Sequence, residues 1–199
     1  MELNTQLTPK LKHLRLSGIL ATLETRTRQA VDGQWSYMEF LERLLEDEVE
    51  RRAQKQLALR VRRASLTSSK TLDSFDWSFN PTINRQQVLQ LASGDYLMRK
   101  RNVLICGPTG VGKSHLAQAL AHEACRQGAE VVFVNTHKLL QHLHGGRADG
   151  TWEKRLAAYV RPDLLVLDDF GLKPLSDPAP SDLYDVIKPR PTYSAVGCG

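Results

Sequence analysis

No run of this 199-residue chain approaches the ~18–20 consecutive apolar residues that a membrane-spanning helix requires, so a transmembrane role is not expected. The first ten residues also lack the charged-then-apolar layout of a secretory signal, and a cytoplasmic location is the resulting expectation. Cysteine is scarce. Cys106, Cys125 and Cys198 are an odd number at wide spacing, which fits neither a disulfide framework nor a CxxC metal site and leaves reduced, structural thiols. His137, His142 and His144 lie close in sequence, but no cysteine or carboxylate completes a ligand set, so a metal centre there is not expected. What remains is 41% hydrophobic and 25% charged, enough for a globular domain with an appendage.

Acidic residues are missing from one segment in particular. Between Arg51 and Arg63 the charged residues are Arg51, Arg52, Lys55, Arg60, Arg62 and Arg63, all basic. Residues 1–70 hold 13 Lys/Arg against 9 Asp/Glu, whereas residues 71–199 hold 14 against 13, so most of the net charge of +5 sits in the N-terminal third. One reading is a contact with nucleic acid or an acidic partner. The other is a solvated helix end, because Glu39, Glu42, Glu46, Asp47, Glu48 and Glu50 precede the basic residues in the order that suits a helix dipole. That helix is predicted to open at Ser36, which forms a capping box with Glu39. Before it, Leu11, Leu14, Leu16, Ile19, Leu20 and Leu23 recur at near-helical spacing and predict one helix over residues 9–30.

Residues 65–70, rich in Ser and Thr, read as a linker, and residues 72–81 as an aromatic, non-periodic approach to a helix over 84–99. Within that approach, Phe75 and Phe79 have two readings, lining a nucleobase pocket or packing in the core. From residue 102 the pattern alternates. Strands are predicted at 102–106, 130–134 and 164–167, with helices at 113–127, 136–144 and 151–160 between them, which is the signature of buried parallel strands with crossover helices.

The segment Gly107-Pro108-Thr109-Gly110-Val111-Gly112-Lys113-Ser114 is a complete G-x-x-x-x-G-K-[ST], placed directly after a predicted strand and opening a predicted helix. Its glycines let backbone amides turn inward, and the helix adds its positive end, so the loop makes a cradle for the phosphates of ATP that extends to His115. Lys113 is predicted to reach the β- and γ-phosphates, and the Ser114 hydroxyl to hold Mg2+. Four apolar residues then lead to Asp168 and Asp169, a strand end that delivers two carboxylates. Asp168 is predicted to organise the metal and Asp169 to orient the attacking water.

These segments resemble the IstB-like helper ATPases of IS21 insertion sequences, relatives of the DnaC/DnaI helicase loaders in the AAA+ group. The resemblance runs over about residues 8–188. It is carried by Leu-Lys-x-Leu-Arg-Leu-x-Gly-Ile ending at Ile19, by Tyr37-x-x-Phe-Leu-x-x-Leu-Leu-x-x-Glu48, by the Phe75 to Pro81 approach, by the phosphate loop and by Leu167-Asp-Asp-Phe-Gly. It implies an α/β P-loop NTPase of AAA+ type behind an all-helical N-terminal region, with 1–70 a basic partner or DNA-binding region, 71–187 the ATPase core and 188–199 an atypical tail. It also implies ATP and Mg2+ as cofactors, and double-stranded DNA, a transposase and further copies of the chain as partners. Lys113, Ser114, Asp168 and Asp169 inherit the ATPase roles.

After Ile187 the chain departs from the pattern. The family continues with a strand carrying a sensor residue and with helices bearing an arginine finger, but here a segment with two prolines and two glycines follows. A truncated product is therefore expected, with its sheet incomplete between the phosphate-loop strand and the Asp168 strand. Two further readings stay open: a helicase-loader ATPase of DNA replication, and a non-hydrolysing fragment that binds DNA or other subunits.

Overall fold

The computed structural model describes residues 6–172 and 174–188 in full and residues 194–196 by their backbone. Two compact units divide the chain, Met1–Ala58 and Leu59–Gly199.

In the first unit lie α1 (Leu7–His13), α2 (Ser17–Asp32) and most of α3 (Tyr37–Arg63). The single helix expected over 9–30 is broken between α1 and α2. At the break Arg15 takes a left-handed φ of 57°, and the amides of Arg15 and Leu16 reach back to the carbonyls of Lys12 and Leu11. This is a Schellman closure built on a non-glycine residue, which costs about 1–2 kcal/mol and leaves no mark in hydrophobic periodicity. The restarted helix is capped by a side chain from α3, since Glu48 Oε2 accepts the Gly18 amide at 2.5 Å and the Ile19 amide at 3.3 Å. Glycine is required at 18. A Cβ there would stand 2.6 Å from the Glu48 Cα. Leu11, Ile19 and Leu44 form the core between these helices, each side chain contributing about 1.5–3 kcal/mol by its burial. As expected, α3 is long, and Ser36 Oγ accepts the Glu39 amide at 3.2 Å.

The last turn of α3 belongs to the second unit, where Ser65, at φ 59°, closes the helix with the Leu66 amide on the Val61 carbonyl. The following segment is docked, unlike a free linker: Ala64 is buried, and its carbonyl accepts from the Phe133 amide at 3.1 Å. The helix expected over 84–99 is two, α4 (Arg85–Ala92) and α5 (Asp95–Met98), separated at Gly94, whose φ of 79° ends the first. Thereafter come β1 (Val103–Ile105), α6 (Lys113–Arg126), β2 (Val131–Asn135), α7 (Thr136–Asp149), α8 (Trp152–Val160), β3 (Leu164–Asp168), α9 (Ala179–Ile187) and β4 (Ser194–Val196).

The four strands form one parallel sheet in the order β1-β4-β3-β2. This corrects the expectation of a gap. The position between β1 and β3 is taken by Ser194–Val196, which pairs Ser194, Ala195 and Val196 with Val103, Leu104 and Ile105, and Ser194 and Ala195 with Val166 and Leu167. An unpaired buried amide or carbonyl costs about 1–3 kcal/mol, so a central position between two parallel strands favours any short extended segment that reaches it. Three residues are too few to show strand alternation in sequence. Leu139, Leu143, Leu165, Leu167 and Val186 form the main core on one face of the sheet, and Phe75, Val88, Leu116 and Leu120 a second cluster beside α6.

Candidate functional site

The loop from β1 to α6 turns on glycines. Gly110 and Gly112 sit at φ 84° and 93°, and a Cβ on Gly112 would come within 3.1 Å of the Phe75 ring. Phe75 is therefore a core residue beneath the loop, meeting Trp77 and His115 edge-on at 4.9 and 5.1 Å, while Phe79 is exposed. At the N-terminus of α6 the cap residue is Gly112, and among the described residues no side chain accepts from its first amides. Those amides point out of the helix and suit an anion. The Lys113 ammonium donates to the Gly107 and Pro108 carbonyls, each at 2.7 Å, so it lies folded over the loop.

The acidic strand end faces that loop. Ser114 Oγ donates to Asp168 Oδ1 at 2.7 Å, which joins the first turn of α6 to the last residue of β3. Thr136 Oγ1 donates to the Asp168 carbonyl at 2.9 Å. Asp169 leaves the strand at φ 54°, and its Oδ2 accepts from Asn135 Nδ2 at 2.7 Å. Asn135, paired with Asp168 in the sheet, also caps α7 by accepting the His137 and Lys138 amides at 3.0 and 3.2 Å. Sequence reasoning missed Asn135. Its signal was an asparagine between an apolar run and a helix, the pattern of an N-cap.

A cleft of about 720 Å³ opens beside the loop, lined by Asn84, Val88 and Leu91 on one side and by Ile105, Pro108 and Lys113 on the other. Asn80, Thr82, Gln87 and Asn102 add polar groups to a lining that is otherwise largely apolar, and among the described residues Lys113 is its one ammonium. The His115 ring turns the other way, with Nε2 3.2 Å from the Thr71 carbonyl and 3.4 Å from Ser74 Oγ.

The basic residues of α3 divide between the two units. Arg51 donates to Ser17 Oγ at 3.2 Å, and Arg52 to Glu48 Oε1 at 2.7 Å and the Arg15 carbonyl at 3.3 Å, while Lys55 is exposed; all three lie in the first unit. Arg60, half-buried, and Arg62 and Arg63, exposed, lie in the second. Burial pushes the Cys125 thiol up to about 11, Cys106 is exposed, and Cys198 lies outside the described residues. Among the described residues no helix is long and apolar enough to cross a membrane.

A family model described as IstB-like ATP binding protein matches residues 9–196. A relative from Mycobacterium tuberculosis, named for ATP binding and for an insertion sequence, is 39% identical over 180 residues, 90% of this chain and 72% of the relative. Among solved structures, the DnaC helicase loader superposes with a TM-score of 0.57 at 22% identity, covering 65% of this chain and 77% of that one. DnaA from Aquifex aeolicus, bound to AMPPCP, superposes with a TM-score of 0.58 at 21% identity over 66% of this chain. The matched part is 42% of the DnaA chain, and at these identities both likenesses bear on the fold alone.

Proposed function

The chain belongs to the IstB-like ATP binding proteins of IS21 insertion sequences, and from that membership we propose that it is an ATP-hydrolysing helper of DNA transposition. ATP binding comes with the family. The finer reading is that copies of the chain assemble on double-stranded DNA with ATP between them and activate a transposase, with hydrolysis as the timer.

The observation that carries the reading is the 2.7 Å hydrogen bond from Ser114 to Asp168, because it brings the phosphate loop and the acidic strand end into one site. A hydroxyl and a carboxylate side by side are hard oxygen donors of the kind that hold Mg2+, so the residues fit that ion. There it supplies neutralisation of phosphate charge. Lys113 exchanges its two loop carbonyls for phosphate oxygens, a stronger charge-assisted contact. The uncapped amides of α6 bind the same anion. Asp169 takes a proton from the attacking water, and Asn135 fixes the carboxylate by donating to one of its oxygens, leaving the other free to accept. The apolar cleft beside the loop suits a nucleobase.

The helicase-loader reading shares this site, but the 39% identical relative is an insertion-sequence protein, and that favours transposition. Phosphate release from ATP by the purified chain, with Mg2+ and duplex DNA, tests the enzyme reading. The parent is expected to exceed a Lys113→Ala control clearly. Equal rates would leave a nucleotide-binding protein without turnover.

A further inference from the structure

We infer that the segment after α3 links the phosphate loop to Arg62 and Arg63, so that nucleotide at the loop and duplex DNA at those two arginines tighten each other's binding. This rests on the DNA-binding reading above and adds which arginines serve and what controls them.

The link is built on one face of α6, the helix that begins at Lys113. His115, Gln118 and His122 stand at i, i+3 and i+7, a single stripe. The Thr67 amide donates to Gln118 Oε1 at 3.1 Å, the Thr67 carbonyl meets His122 Nε2 at 3.0 Å, and the Thr71 carbonyl meets His115 Nε2 at 3.2 Å. Gln118 and His122 are only 6% and 7% exposed. A buried polar group stripped of its partner costs about 1–3 kcal/mol, so α6 does not shift without carrying residues 67–71 with it. For His122 to donate to Thr67, its ring must carry the proton on Nε2.

The other end of the segment is α3 itself. The Schellman closure at Ser65 and the bond from the Phe133 amide to the Ala64 carbonyl fix the last turn of α3 to the same unit as the loop. That turn carries Arg62 and Arg63. Both are exposed, and among the described residues neither guanidinium has a hydrogen-bond or ion-pair partner, whereas Arg51 and Arg52 are already engaged within the first unit. Two unpaired guanidinium groups are suited to phosphates of a duplex backbone. Phosphate at the loop draws Lys113 off its carbonyls and restrains the first turn of α6, which is already helical. The restraint extends along the stripe, and a second ligand meets part of it already in place. Such coupling is reciprocal.

Fluorescence anisotropy of a labelled duplex, with and without a non-hydrolysable ATP analogue and Mg2+, tests this. In the parent, the analogue tightens duplex binding by about five- to tenfold. In Gln118→Ala/His122→Ala, analogue affinity and analogue-free duplex affinity stay within about twofold of the parent, but the gain is lost. Gln118→Met, which keeps the volume and removes the side-chain amide with its acceptor for Thr67, serves if the double variant unfolds, and it loses most of the gain. His122→Gln, which keeps a donor, retains it. Arg62→Ala/Arg63→Ala binds the analogue normally and the duplex weakly. An undiminished gain in both stripe variants, or a parent that binds duplex equally with and without analogue, overturns the link while leaving DNA binding intact. A parent that binds no duplex in either state overturns the DNA-binding reading itself, and the link with it.

Discussion

Asn135 holds Asp169 with one end of its amide and α7 with the other, donating from Nδ2 to the carboxylate at 2.7 Å while Oδ1 accepts the amides of His137 and Lys138. The residue that ends β2 therefore fixes both a helix start and the carboxylate assigned to the attacking water. The two tasks are separable by substitution.

Asn135→Asp keeps an oxygen for the cap but removes the donor and adds a like charge beside Asp169. Its ATP hydrolysis is expected to fall by about tenfold or more, a fraction of the 10²–10⁴ that a positioned base supplies, with analogue affinity within about twofold of the parent. Asn135→Ala loses both contacts and in addition about 1 kcal/mol of stability through the cap. Steady-state rates beside a thermal melt separate the effects. An Asp variant with parental turnover would remove the positioning role.

Ser114→Ala deletes the hydroxyl that joins the loop to Asp168. In isothermal titration with ATP analogue, the parent is expected to bind more tightly with Mg2+ than with EDTA, and the variant to lose most of that difference. Asp168→Asn is expected to cut hydrolysis on the order of a hundredfold, the scale of one lost transition-state charge contact. Retention of the full Mg2+ dependence in Ser114→Ala would move the metal elsewhere.

Acid stability is predicted to hinge partly on Asp47. Hydrogen bonds from the Arg26 side chain, at 2.9 and 2.6 Å, hold this carboxyl at about 2, below its ordinary 3.8, against the opposing effect of burial. A folded value below the unfolded one means that the stabilisation is complete above about pH 4 and is lost as the pH falls toward about 2. Denaturation of the parent and of Asp47→Asn is expected to give stabilities that differ at pH 6 and converge through that window. A constant difference down to pH 2 would contradict the pairing.

Several helices close on residues that pattern reading does not flag. Ser65 adopts φ 59° at the end of α3 and Arg15 φ 57° at the end of α1. Ser65→Gly relieves the left-handed penalty and is expected to stabilise the chain by about 0.5–1 kcal/mol, net of the extra freedom glycine gains when unfolded. A rise of a few degrees in the melting temperature would show it, and a fall would mean that the Ser65 side chain does more than close a helix.

The same closures explain what the sequence concealed. β1, β2 and β3 are short apolar runs, though only β3 is buried along most of its length, so they were visible within a residue or two, and the glycine-lysine-serine pattern located the loop and α6 together. Gly94 was a visible stop that the helix reading over 84–99 passed through, whereas Arg15 carried no such sign. β4 was hidden because three residues have no period and owe their extended form to neighbours distant in sequence. In the site, the Ser114 hydroxyl meets the Asp168 carboxylate, while the Lys113 ammonium lies on the loop's own carbonyls and Asp169 on Asn135. The His115 ring goes instead to Thr71, and Asn135 emerges only from the fold.

The proposed ATPase role depends most on the loop at Gly107 to Ser114 holding a triphosphate. Titration of a fluorescent ATP analogue into the parent and into Lys113→Ala, each with Mg2+, measures that directly. Saturable binding in the parent, weakened at least about tenfold in the variant, or about 1.4 kcal/mol or more, is the result predicted. Equal affinity in the two proteins, or no saturable binding in the parent, would contradict it.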